Sequence, residues 1–259
     1  MKTITVACGG IAALALSMPI HAQQCSAKSP AHTLALVELY TSEGCDSCPP
    51  ADKWLRSLTA ARAPESLVPL ALHVDYWDYI GWKDPYARPQ FAARQREIAA
   101  VTGKSFIYTP QVVFNGRDYR RWGGRDFFDD VKRTNSQPAR ATIELSMTIL
   151  SGGRIEARAA ANVPAMQYRA DAVLHFAVYQ NGLSTSEAAG ENRGKTLQHD
   201  FVARAWAGPS LVDPAGKVES TIKATIPAAI GKNAGIAAFV QNKRSGEVLQ
   251  AFSLPFCSN

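Results

Sequence analysis

Cys45 and Cys48 stand between two stretches that leave the backbone little choice. Before them, Leu34-Ala35-Leu36-Val37-Glu38-Leu39-Tyr40 is a near-continuous apolar run of strand length. After them, Ala51, Trp54, Leu55 and Leu58 recur at helical spacing. Pro49 and Pro50 fall where a first helical turn tolerates a missing N–H. The pair therefore marks a strand-to-helix junction, with Cys45 expected at the helix N-terminus. Exposed amide donors and the positive end of the helix dipole favour a thiolate there. Cys45 is thus expected to be the more exposed and more acidic thiol, with Cys48 one turn away to resolve a mixed disulfide.

The compartment bears on those cysteines. Met1-Lys2, an apolar stretch over residues 6–18 and Pro19-Ile20-His21-Ala22 have the order of a secretory signal, cut after Ala22. No other segment is long and apolar enough to cross a bilayer, so no stable membrane insertion is expected. About 235 residues remain, a length that suits two modest domains. An apolar fraction of 46% supports real cores. The net charge of +6 is scattered rather than striped, which argues against nucleic-acid binding. The expected location is periplasmic or secreted, where cysteines oxidise. Cys8 leaves with the signal, and four cysteines survive: Cys25, Cys45, Cys48 and Cys257. The simplest of the three pairings is Cys45–Cys48 for chemistry and Cys25–Cys257 for tying the ends together.

Residues 34–135 alternate between strand and helix patterns. Leu67-Val68-Pro69-Leu70-Ala71-Leu72-His73-Val74 is a second buried strand. Residues 91–101 have a helical pattern, Gln111-Val112-Val113-Phe114 is a strand, and Asn115-Gly116 signals a hairpin turn. Beyond Asn135-Ser136-Gln137-Pro138 the period changes to two: Ile143, Leu145, Met147 and Ile149 alternate with polar residues, as do Val218, Ile222 and Ala224 later. This predicts an α/β domain over 23–137 and an antiparallel β-sandwich over 138–259.

Thr109-Pro110 opens the Gln111 strand. Export, the strand–CxxC–helix order and this proline together resemble the thioredoxin fold. That resemblance implies a cis Thr109-Pro110 bond, with the proline against the cysteine pair and Thr109 facing an extended substrate. It also implies that Glu38 is a candidate proton relay, since it stands near where that fold keeps a buried acid that relays protons to the second cysteine. The alternative for Glu38 is a solvated face or a pair with a nearby Arg or Lys. Trp77, in the aromatic stretch Asp75-Tyr76-Trp77-Asp78-Tyr79-Ile80-Gly81-Trp82, is a candidate to grip polypeptide or to fill a satellite core. Longer segments resemble a bacterial family known as domain of unknown function 1223. They are Leu36-Val37-Glu38-Leu39-Tyr40-Thr41-Ser42-Glu43-Gly44-Cys45-Asp46-Ser47-Cys48-Pro49-Pro50-Ala51-Asp52, residues 73–85, residues 108–111 and residues 190–200. That family implies a thioredoxin-like domain and export but supplies no activity.

The expectation is an α/β thioredoxin-like domain followed by an antiparallel β-sandwich. Cys45 and Cys48 exchange thiols with a protein substrate, Thr109, Pro110 and Trp77 contact it, and an unidentified redox partner recycles the pair. No cofactor and no metal are required. The alternative is a partner-binding module whose Cys45–Cys48 pair is a staple or, with His73 or His199, a metal site. A disulfide closing so short a loop restrains little chain entropy, which weakens the staple.

Overall fold

The computed structural model describes residues 23–58, 66–226 and 233–256. The expected signal, residues 1–22, and Cys257 lie outside them. Fourteen strands and three α-helices make up the described chain. In order they are β1 (Gln23–Lys28), β2 (Ala35–Thr41), α1 (Pro49–Ser57), β3 (Leu67–His73), α2 (Pro89–Val101), β4 (Gln111–Phe114), β5 (Arg117–Asp118), α3 (Phe127–Asn135), β6 (Thr142–Ile149), β7 (Arg154–Asn162), β8 (Ala172–Gln180), β9 (Leu183–Ser186), β10 (Thr196–His199), β11 (Val202–Leu211), β12 (Lys217–Thr225), β13 (Ala234–Asn242) and β14 (Val248–Pro255). No described helix is long and apolar enough to cross a membrane.

β2 and β3 carry apolar side chains on both faces because both faces are covered, and every residue of each is buried. They run parallel, and β4 joins β2 antiparallel, followed by β5. On the other side β3 meets β11. Val202 pairs with Ala71 in parallel, and the Ala71 N–H donates to the Phe201 carbonyl at 2.8 Å. β11 continues antiparallel into β8, β13 and β14. One eight-stranded sheet therefore runs β14-β13-β8-β11-β3-β2-β4-β5. A second, antiparallel sheet of four strands runs β1-β6-β7-β12.

The strand periods explain how these layers pack. In β6, Ile143, Leu145 and Met147 are buried and their neighbours are not, as expected of a sheet with one wet face. β8 is buried at every position because its two faces serve two cores. Leu174, Phe176 and Val178 join the core shared with the four-stranded sheet. Ala177 and Tyr179 join the core shared with β2, β3 and the helices. β13 divides in the same way, with Ile236, Ala238 and Val240 on one side and Ala237 and Phe239 on the other.

The expected α/β thioredoxin-like domain followed by a β-sandwich is thus overturned. Strands dominate the chain, it has only three α-helices among the described residues, and its main sheet takes strands from both halves. The physical reason is that β3 is not an edge. Its free side is completed by β11, and a buried polar knot reinforces the join. Arg94 of α2 donates to Glu38 of β2 at 2.6 and 2.9 Å and to Gln241 of β13 at 3.1 Å. Its guanidinium also lies 4.8 Å from the centre of the Phe239 ring.

A candidate redox site at the carboxyl ends of two parallel strands

Loops at the carboxyl ends of neighbouring parallel strands are the usual place for chemistry in open sheets. Here those ends are Thr41 of β2 and His73 of β3. The Val74 N–H donates to the Thr41 carbonyl at 2.9 Å and ties the two exits together. After β2, residues 42–48 form the loop that carries Cys45 and Cys48. The two are joined in a disulfide, with Cα atoms 5.5 Å apart. α1 begins at Pro49, so Cys48 and not Cys45 holds the cap position. The Cys48 carbonyl accepts from the N–H groups of Ala51 and Asp52. The Ser47 hydroxyl lies 3.4 Å from the Cys45 sulfur and can donate to a thiolate there.

Neither cysteine has accessible surface; both are 0% exposed. This differs from the expected exposed Cys45, and a segment far along the chain is hydrogen-bonded to the cysteine loop. β9 and β10 form a two-stranded ribbon, and the loop between them, residues 187–195, meets the loop that carries the cysteines. Asn192 Nδ2 donates to the carbonyls of Glu43 and Cys45 at 2.8 and 2.9 Å. The Asp46 N–H donates to Glu191 Oε2 at 3.1 Å.

A buried group of acids and histidines adjoins the pair. Glu43, two residues before Cys45, accepts from Trp82 Nε1 at 2.8 Å and lies 3.2 Å from His199 Nε2. The other ring nitrogen of His199 lies 3.8 Å from Asp52, which sits one helical turn after Cys48 and also accepts from Thr41 Oγ1. His199 thus joins the two flanks of the cysteine loop. Behind it, His73 Nδ1 lies 2.7 Å from Asp84 Oδ2, and the His73 and His199 rings meet edge to face at 4.9 Å. Asp84 also accepts from the N–H groups of Glu43 and Tyr86.

The charges follow from these contacts. Burial disfavours the His199 imidazolium, but Asp52 and Glu43 outweigh it and lift the group to about 10. Burial would raise Glu43, yet His199 and Trp82 bring it below the ordinary value. Burial likewise opposes Asp84, and His73 with two backbone N–H groups lowers it. Glu187, at the foot of the covering loop, goes the other way. Burial and the negative charges of Glu43 and Asp84 push it up to about 8. Among the described residues, no group of three or more His, Cys, Asp or Glu is placed to hold a metal ion.

The expected substrate residues do converge in part. The Thr109-Pro110 bond is cis. Trp77 Nε1 donates to Thr109 Oγ1 at 2.8 Å, and the Trp77 Cβ lies 3.1 Å from where a Gly44 side chain would begin. Trp77 therefore connects the cysteine loop to Thr109. Pro110 lines an open groove with Phe106, Tyr108 and Trp122. Glu38 lies in the bidentate pair with Arg94, the partnered alternative weighed for it in the sequence. Cys25 is disulfide-bonded, and its expected partner Cys257 is outside the described residues. Sequence reasoning passed over Glu43, Asp52, Asp84, Asn192 and Glu187. The first four lie inside the family-like segments 36–52, 73–85 and 190–200, so the polar residues of those segments were the available signal.

Comparison with known proteins gives a family model described as "Protein of unknown function (DUF1223)", which matches residues 36–241. Among solved structures, protein AGR_C_4864 from Agrobacterium tumefaciens is similar at 25% identity and a TM-score of 0.60, covering 89% of this chain and 98% of that one. HBP35 of Porphyromonas gingivalis is similar in fold, at 13% identity and a TM-score of 0.62, covering 87% of this chain and 76% of that one. No curated protein matches the chain.

Proposed function

The chain belongs to the DUF1223 family, and we propose that it carries out thiol–disulfide exchange on exported protein substrates through Cys45 and Cys48. The observation that carries this reading is the place of the disulfide. It sits at the carboxyl ends of β2 and β3, at the start of α1, beside a buried acid–histidine group. A disulfide that served only as a staple would have no need of ionisable neighbours, which are costly to bury.

In the reductive direction the Cys45 thiolate attacks one sulfur of a substrate disulfide. The substrate S–S bond breaks, a mixed disulfide forms, and the other substrate sulfur leaves as a thiolate. The Cys48 thiolate then attacks the Cys45 sulfur and releases the second substrate sulfur. Two electrons pass from the protein dithiol to the substrate, and the Cys45–Cys48 disulfide returns. The reverse sequence oxidises a substrate dithiol. The Ser47 hydroxyl is placed to donate to a Cys45 thiolate. The protein acts in the periplasm or outside the cell after removal of residues 1–22. A separate redox partner resets the pair, and no dissociable cofactor takes part.

Complete burial of both sulfurs favours a second reading, in which the pair is structural and the protein binds a partner. Trapping separates the two. Cys48→Ser, expressed with export intact, should accumulate thiol-reducible adducts on Cys45 that the Cys45→Ser variant lacks. Equal, background levels of adduct in both variants would favour the structural reading.

A further inference from the structure

The loop over residues 187–195 is closed on itself. The Glu187 N–H donates to the Lys195 carbonyl and the Gly194 N–H to the Glu187 carbonyl, both at 2.9 Å. It therefore hangs from the β9–β10 ribbon as a compact unit. Its contacts with the cysteine loop are few and specific. Asn192 donates to two carbonyls, Glu191 accepts one N–H, and Gly190 packs on the Trp82 side chain. Lys195 Nζ donates to Asn192 Oδ1 at 2.9 Å and fixes the orientation of the amide. A thiolate must reach a sulfur to attack it, and here both sulfurs are sealed.

Resting on the exchange reading, we propose that residues 187–195 form a displaceable cover over the Cys45–Cys48 disulfide, with Asn192 as its latch, and that a protonated Glu187 favours the seated cover. Both Glu187 carboxylate oxygens are buried without a hydrogen-bond partner. The charges of Glu43, from the loop after β2, and Asp84, from the segment after β3, act against an ionised Glu187, and that of His199 from β10 acts for it. The first two are acids held ionised, and the His199 charge is already divided between Glu43 and Asp52. An ionised Glu187 would be a further unpaired negative charge in this space, which a low-dielectric site resists. With the cover lifted, Glu187 meets water and loses its proton at an ordinary carboxylate pH. The sealed form therefore weakens as pH rises from that range towards about 8, where Glu187 ionises in place.

The test is the rate at which dithiothreitol reduces Cys45–Cys48 in the full mature protein. It is read by alkylation and mass spectrometry, and divided by the rate for oxidised glutathione in the same buffer. Asn192→Ala should raise this relative rate at least tenfold at pH 7, and Glu191→Ala two- to threefold. Hydrogen exchange at the Asp46 amide should accelerate in parallel. The wild-type relative rate should climb from pH 6 towards about 8 and level off above it, and Glu187→Gln should remove the climb. Relative rates within twofold of wild type in folded Asn192→Ala and Glu191→Ala would overturn the cover. An unchanged climb in Glu187→Gln would overturn its proton dependence. Dithiothreitol needs no recognition by a substrate site, so these results stand apart from the trapping experiment. Failed trapping with an accelerated Asn192→Ala would sink exchange and leave the cover.

Discussion

Removing Arg94 tests whether this chain is one continuous body. Arg94 reaches from α2 to Glu38 on β2, His175 on β8 and Gln241 on β13, so its contacts span strands from both ends of the chain. Glu38 is 0% exposed, and its remaining polar contact is the Tyr40 hydroxyl at 3.3 Å. Arg94→Met would keep much of the packing against Phe239 and Trp206 but leave that carboxylate buried without its cation. Breaking a buried pair from one side costs about 3–5 kcal/mol. For a chain of roughly this size each kcal/mol moves Tm by about 2–4 °C, so a fall of about 6–20 °C is expected. Replacing both partners, Glu38→Leu with Arg94→Met, should restore most of the loss, because the uncompensated charge is gone. Urea unfolding measures the free-energy loss and thermal unfolding the fall in Tm, each followed by far-UV circular dichroism and by fluorescence of the five tryptophans. Both probes should move together, with one transition in each variant. A loss below about 1 kcal/mol, or two separated transitions in the wild type, would refute the reasoning that the halves share one cooperative sheet.

Two further outcomes follow from the same structure. His199 is held protonated to about 10, above the ordinary histidine value. Its contribution is complete below about 6.5 and is lost as pH rises through 10, so stability in urea should decline across that window and His199→Asn should flatten the decline. Gly116 has φ +77°, and a side chain there would start 1.8 Å from the Gly246 carbonyl oxygen. Gly116→Ala should therefore cost at least about 2 kcal/mol in urea unfolding, from left-handed strain plus the clash, and a neutral result would contradict this turn-to-turn contact.

The local elements were legible in the sequence. The apolar runs of β2 and β3, the helical spacing after Cys48, the Asn115-Gly116 turn and the alternation in β6 all correspond to what the chain forms. The join was not. A single bridge, Val202 to Ala71, decides that β3 is internal, and no local period records a pairing between segments so far apart. One signal was present. Val173-Leu174-His175-Phe176-Ala177-Val178-Tyr179 is almost wholly apolar, whereas a strand with one wet face alternates. Such a run asks for cover on both faces, and the helices supply the second. The cysteines were found from spacing and context, but their burial was not. Nor was the contact of Asn192 with the carbonyls of Glu43 and Cys45, which a sequence pattern cannot display.

Whether Cys45–Cys48 is an exchanging disulfide is tested most directly by its reduction potential. Equilibration of the full mature protein against glutathione or dithiothreitol buffers, quenched and counted by mass spectrometry, gives the value. An exchanging pair should have a potential within the range of exchange enzymes, about −120 to −270 mV. A potential below about −300 mV, where structural disulfides lie, would contradict it.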